Sequence, residues 1–307
     1  MNPIIETQNL NHRYGRTEAV RELTFQVPEG SIYAFLGPNG AGKTTTIKML
    51  LNILQPSTGT ARILGVDSTQ LGPRELAQIG YVSENQQLPE WMTVQQLIDY
   101  CKPMYPTWDD AFCEKLLKNF NLPPHRKLKN LSRGMKVKAA LVTSLAYRPR
   151  LLVLDEPFSG LDPLVRDEFI RGMLELSEQS AWTIFISSHD IDEVERLADW
   201  VGVINDGQLF LSEPTESLQM RFRQIEFVVG PSITRLPATL PPTWMVPEMA
   251  GQNVRLVESR FREGDTVNEL RQIFPDASEP TITPLSLRDI FLALARTFRF
   301  KTESSKA

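Results

Sequence analysis

Residues 37–44 read Gly37-Pro38-Asn39-Gly40-Ala41-Gly42-Lys43-Thr44, the spacing G-x-x-x-x-G-K-[ST]. This run constrains the fold more than any other, because it works only between a strand and a helix. Both flanks fit. SIYAFL (31–36) is an apolar run of buried-strand length, and TTTIKMLLNIL (44–54) sets Ile47, Leu50, Leu51 and Leu54 at helical spacing. Pro56, Ser57 and Gly59 end that helix. Gly37, Gly40 and Gly42 allow backbone conformations that a side chain would block, so several N–H groups can converge on phosphate oxygens. The dipole of the following helix adds its positive end. Lys43 is expected to reach the β- and γ-phosphates, the Thr44 hydroxyl to ligate Mg²⁺, and Thr45 to approach the α-phosphate. The bland alternative is a glycine-rich turn without a ligand, and the flanking strand and helix weigh against it. The motif alone does not separate ATP from GTP.

LLVLDEP (151–157) reads as a buried strand ending in two carboxylates. Unpaired buried charge is costly, so packing alone rarely ends a buried strand in Asp-Glu. Asp155 is expected to hold the Mg²⁺ shell, and Glu156 to polarise water beside the γ-phosphate. A pair that merely caps a loop is the competing reading.

Strand signals alternate with helical ones. VRELTFQVPEG carries the alternation Leu23, Phe25, Val27; after LLVLDEP come a helix (LVRDEFIRGMLELSEQ), a strand (TIFISS), a helix (IDEVERLAD) and a strand pair around Asp206–Gly207. That alternation predicts an α/β core with a sheet covered on both faces. Residues 85–149 carry three helical patterns, WMTVQQLIDYCKPMY, DDAFCEKLLKNF and RGMKVKAALVTSLAY, and read as a helical insertion. Beyond about residue 221 the pattern changes again. RQIEFVVG and NVRLVES read as strands, the prolines between Pro231 and Pro247 as an irregular connection, PLSLRDIFLALARTF as a helix capped by Ser286, and KTESSKA as disordered.

Composition narrows the class. The 307 residues carry 33 Lys+Arg against 37 Asp+Glu, net −4, which removes the simplest argument for nucleic-acid binding. No apolar run is long enough for a membrane-spanning helix, and MNPIIETQNLNHRYG lacks the basic start and apolar core of a secretory leader. Two cysteines, Cys101 and Cys113, fit free thiols in a reducing cytoplasm.

Leu131-Ser132-Arg133-Gly134-Met135 lies between the phosphate loop and the acidic strand. Ser132 can cap the helix that follows, so its hydroxyl, the Gly134 backbone and the helix dipole face an anion together. In this order and spacing the run resembles the LSGGQ signature of ATP-binding-cassette (ABC) ATPases, with Arg133 and Met135 in place of Gly and Gln. The resemblance covers residues 3–220 and implies a P-loop NTPase core of the ABC type: a mixed sheet, the helical insertion, and a small C-terminal α+β extension over 221–307. It implies ATP and Mg²⁺ as ligands. Tyr14 then matches the aromatic residue that stacks on adenine, Asp162 the loop that follows the acidic pair across the dimer interface, and His189 in SSHD the switch histidine near the γ-phosphate. Glu84 stands where most members have a Gln that links Mg²⁺ and the attacking water, so it is assigned both a catalytic and a metal role. Glu84 and LSRGM together resemble ABC-2 type drug- or peptide-export ATPases of the YtrB kind.

The resemblance further implies a head-to-tail dimer with a second copy or a paralogous ATPase. Ser132 and Gly134 of one copy would meet ATP held by the other. It implies separate integral membrane subunits, docked near 84–110, and a cytoplasmic location on the inner face of the membrane. The alternatives are an importer ATPase and a non-transport ABC protein of translation or DNA repair. A translation-type chain carries two cassettes and a repair-type chain long coiled coils, and this sequence has neither.

Overall fold

The computed structural model describes residues 3–84, 86–179, 182–237 and 239–304. The chain forms two compact units, Met1–Ser212 and Glu213–Ala307.

In the first unit β1 (Pro3–Tyr14) and β2 (Thr17–Pro28) form a long antiparallel pair, with Tyr14 opposite Thr17 at the turn. β3 (Ile32–Leu36) leads through the glycine run into α1 (Lys43–Leu50). β4 (Thr58–Ile63) pairs antiparallel with β1, and β5 (Val66–Asp67) with β4, giving the sheet β2-β1-β4-β5. A short α2 (Pro73–Leu76) precedes β6 (Ile79–Ser83). Then α3 (Val94–Cys101), α4 (Asp110–Asn119) and α5 (Arg133–Leu145) fill the span before β7 (Leu151–Asp155). α6 (Pro163–Gln179), β8 (Thr183–Ser188), β9 (Trp200–Asn205) and β10 (Gln208–Pro214) follow.

The second sheet runs β10-β9-β3-β8-β7-β6, parallel from β9 through β6. β3, β7 and β8 are buried along their whole length, which is why they read as continuous apolar runs rather than alternating ones. The two sheets share a core in which Phe25 of β2 stacks on Phe35 and Phe185 at 5.4 and 6.0 Å. Each helix of the insertion starts at a side-chain cap. Thr93 accepts from the Gln96 amide, Asp109 from Phe112 and Ser132 from Met135. The expected mixed sheet and helical insertion are present.

One expected helix is absent. IDEVERLAD forms a single 3-10 turn, Ile191–Glu193, and Val194 leaves helical geometry at φ −121°. The sequence has helical spacing there, but the Glu193 side chain is drawn inward. Its carboxylate accepts from Ser188 Oγ at 2.5 Å and pairs with Arg166 at 3.3 Å. Anchoring that residue replaces a continuous helix with separate turns.

The second unit contains α7 (Thr215–Arg221), β11 (Arg223–Val228), β12 (Trp244–Ala250), β13 (Asn253–Glu258), α8 (Glu263–Ile273), β14 (Thr281–Pro284) and α9 (Leu287–Ser304). Its sheet is antiparallel, in the order β12-β13-β11-β14, over a core of Ile225, Phe227, Trp244, Leu270 and Phe274. Ser286 caps α9 as expected, accepting from the Asp289 amide at 3.1 Å. β12 forms where the prolines predict an irregular connection. It is an edge strand with a register shift between Met245 and Glu248, and so tolerates Pro247. Of the KTESSKA tail, expected to be disordered, 301–304 continue α9 and 305–307 lie outside the described residues. No described helix is long and apolar enough to cross a membrane.

Candidate functional site

Register builds the site. Leu36 pairs with Ser188, Asp155 with Ser187, and Ser83 with Asp155, so β3, β8, β7 and β6 end level. Their following loops therefore start in one row. They carry Gly37, His189, Glu156 and Glu84, at the carboxyl ends of the strands, where open α/β sheets place their ligands.

The phosphate loop is tightly held at its ends. A Cβ on Gly37 would stand 2.2 Å from the Ile204 carbonyl oxygen. Gly42 has φ +104° and would place a Cβ 2.5 Å from the Ala19 carbonyl oxygen, so glycine is required twice over. Pro38, Asn39 and Gly40 form an exposed tip, and Ala41 is buried behind it with its amide donating to Pro38 O. Lys43 is buried. Its Nζ donates to Gly37 O at 2.6 Å and Pro38 O at 3.1 Å and stands 3.0 Å from Glu156 Oε1. Thr44 is exposed and Thr45 half-buried on the first turn of α1.

The acidic pair splits in two directions because the backbone turns between its members. Asp155 ends β7, and Glu156 takes φ +50°, a left-handed conformation that a non-glycine residue keeps only under compensation from its surroundings. Asp155 Oδ1 accepts from Thr44 Oγ1 at 3.1 Å and Ser187 Oγ at 2.7 Å. Burial pushes the Asp155 carboxyl above the usual carboxylate range, against the pull of those two hydrogen bonds. Glu156 Oε2 lies 2.7 Å from His189 Nδ1. Its Oε1 is buried with no aligned hydrogen-bond donor among the described residues, although the Lys43 charge is adjacent.

These residues suit a nucleotide polyphosphate. Gly37 and Gly42 leave no room for a Cβ against the Ile204 and Ala19 carbonyls, which fixes the loop backbone ahead of α1, and a buried ammonium stands beside it. Among the described residues no group of three or more His, Cys, Asp or Glu could hold a metal ion by itself. Thr44 Oγ1 and Asp155 Oδ1 are hard oxygen donors side by side, the partial set expected for Mg²⁺ that takes its other ligands from phosphate and water.

The remaining candidates lie around this centre. Glu84 follows β6; its backbone amide donates to Asp155 O at 2.8 Å. Its Oε1 accepts from Ser159 Oγ at 2.6 Å and from Arg133 at 3.2 Å. Ser132 is the exposed N-cap of α5. Gly134 is buried against α6, where a Cβ would stand 2.6 Å from Val165 Cγ1. Asp162 caps α6 through the Val165 amide at 3.0 Å. Tyr14 is half exposed at the β1–β2 turn, edge-on to His12 at 4.6 Å. Ser187 carries no motif signal of its own, yet it braces the pair: its hydroxyl donates to Asp155 Oδ1 at 2.7 Å and accepts from the Glu156 amide at 3.1 Å. The cue for it is the pair of serines closing the apolar run TIFISS just before His189.

A family profile described as ABC transporter matches residues 20–159. A second, described as an AAA domain, putative AbiEii toxin, Type IV TA system, matches 124–195 within the same unit. Bacitracin transport ATP-binding protein BcrA of Enterococcus faecalis is 33% identical over 226 residues, covering 73% of this chain and 73% of the relative. ABC transporter ATP-binding protein YcbN of Bacillus subtilis is 35% identical over 237 residues, covering 76% and 77%. A solved structure of the ATP binding subunit of an ABC transporter superposes with TM-score 0.64 at 27% identity, over 71% of this chain and 92% of the other. Fold and site thus define a phosphate-loop ATPase. The chain belongs to the ABC transporter ATP-binding proteins, and it binds and hydrolyses ATP.

Proposed function

We propose that this chain powers an exporter built from separate membrane subunits, acting as a head-to-tail dimer on the inner face of the membrane with two ATP held at shared interfaces. The observation that carries the reading is the convergence of Lys43, Thr44, Asp155, Glu156 and His189 at three level strand ends. Kinship with a bacitracin transport protein favours export of drug- or peptide-like cargo. The exposed Trp91, Tyr100 and Met104 of the helical insertion favour a membrane subunit docked beside it, since large apolar side chains left in water cost free energy.

In this reading Lys43 exchanges the carbonyls of Gly37 and Pro38 for β- and γ-phosphate oxygens. The amides of 37–45 hold the phosphate chain. Tyr14 stacks on adenine. Thr44, Asp155 and Glu84 would hold Mg²⁺, which when bound neutralises charge on the phosphate oxygens. Glu156 accepts the proton of the attacking water through Oε1, which is freed when Lys43 turns to the phosphates, and His189 fixes the other oxygen in place. Ser132 and Gly134 of the second copy close over the γ-phosphate, and Asp162 lines the same interface. Residues 1–220 then form the ATPase domain, with the helical insertion at about 85–149, and 221–307 form an accessory extension.

Shared sites can be tested by mixing. Lys43→Ala and Ser132→Ala chains should each be nearly inactive alone. Mixed, they should regain hydrolysis, because one of the two sites then pairs an intact phosphate loop with an intact signature. No recovery in the mixture would remove the head-to-tail arrangement.

A further inference from the structure

Three separate segments meet at one oxygen. Glu84 follows β6, Arg133 opens α5 and Ser159 lies in the turn after β7, and Glu84 Oε1 receives Ser159 Oγ at 2.6 Å and Arg133 Nη2 at 3.2 Å. The guanidinium rests on the bare backbone of Gly160. That residue has φ +67°, and a Cβ there would stand 2.6 Å from Arg133 Nη1. Any larger residue at 160 would displace the guanidinium as well as strain the turn. Glu84 is in turn tied to the acidic strand through its own amide on Asp155 O. The Arg133 charge therefore sits on a carboxylate whose backbone is hydrogen-bonded to Asp155.

A carboxylate shared between a guanidinium and a divalent cation brings two positive charges within a few ångströms of each other, and their repulsion weakens the cation's hold. We propose that Arg133 is a positioning residue that, with Ser159, holds the Glu84 carboxylate toward the signature segment and competes there with the divalent cation that accompanies ATP. Arg133 then sets the cation concentration the site needs, and cation capture by Glu84 loosens the signature segment from the strand ends. The pair is exposed enough to yield. The Arg133 side chain is 51% and the Glu84 side chain 33% accessible, so the contact is a weak one that a divalent charge can displace. The inference rests on the nucleotide site assigned above.

The test is a Mg²⁺ titration of fluorescent ATP-analogue binding, with trinitrophenyl-ATP as the probe, on the full chain. Arg133→Ala should lower the half-saturating Mg²⁺ about two- to fivefold, the range an exposed ion pair can supply. Arg133→Lys keeps the charge and should stay closer to wild type. In a Glu84→Gln background the Arg133→Ala shift should vanish. An unchanged or raised Mg²⁺ requirement in Arg133→Ala would overturn the proposal, and so would a shift that persists without Glu84. Lys43→Ala serves as the separate check. Analogue binding that survives it would remove the nucleotide site itself, whereas its loss alongside a null result at Arg133 would remove only the competition.

Discussion

Among the described residues, 1–212 bury the charged side chains Lys43, Lys138, Asp155, Glu156 and Glu193, whereas 213–307 bury one charged side chain, Glu258, and one other polar side chain, Thr266. The two sets differ in what they face. Glu258 accepts from Thr243 Oγ1 at 3.2 Å and the Arg260 amide at 2.6 Å, and Thr266 accepts from the Arg262 amide at 3.1 Å. Both tie down turns and are satisfied where they stand. Lys43, Asp155 and Glu156 gather instead at the ends of parallel strands, where Glu156 has one oxygen held by the Lys43 charge without an aligned hydrogen bond, and a strained backbone. Buried charge costs several kcal/mol when poorly compensated. The meeting of three such charges at one place in the first unit therefore marks a site, whereas the one described buried charge of the second, Glu258, secures a turn.

The comparison can be broken most directly at Glu156. Glu156→Gln should lower hydrolysis about 10²–10⁴-fold while ATP binding persists, the span a general base supplies. Turnover within a few-fold of wild type would make Glu156 as structural as Glu258. The second unit offers the converse. Phe274 is buried against Phe227 at 5.2 Å and Trp244 at 6.5 Å, and Phe274→Ala should destabilise that unit by about 3–5 kcal/mol in denaturant unfolding. The ATP dissociation constant should not move; if it does, the second unit is not merely a fold with respect to the site.

The smallest effect concerns a charge in the first unit that is structural. Asp109 caps α4, and hydrogen bonds from the Phe112 amide and from Arg148 hold its carboxyl below the usual range. A depressed carboxyl contributes stability above its unfolded-state value and loses it as pH falls through the folded-state value. Asp109→Asn should therefore melt lower than wild type at neutral pH, and the two melting curves should converge below about pH 3.9. Nucleotide binding should be unchanged at neutral pH. A parallel loss would place Asp109 with the site residues.

Much of the site was legible because its parts are local runs. The phosphate loop, the acidic pair, LSRGM and SSHD are each contiguous, and their order along the chain carries further information. The α9 cap at Ser286 was legible for the same reason. What escaped reading depended on partners far along the chain. The helix expected at IDEVERLAD gave way because Glu193 is pulled onto Ser188 and Arg166. β12 escaped because its prolines mark it as irregular until an edge of the sheet accommodates them. α8 starts without a side-chain cap and so announces no boundary.

The sequence alone determined which chemical groups are present and in what order, since a glycine run, a buried strand and a helix start are dictated by neighbouring residues. Tertiary structure decided where those groups point. Level strand ends turned separate motifs into one centre, and the left-handed turn at Glu156 sent its carboxylate to His189 while Asp155 went to Thr44. The meeting of Glu84 with Arg133 and Ser159, across 49 and 75 residues of chain, exists only because the strand ends bring those loops together. Local spacing cannot specify such a contact, because it depends on sheet register and loop packing that no single segment contains.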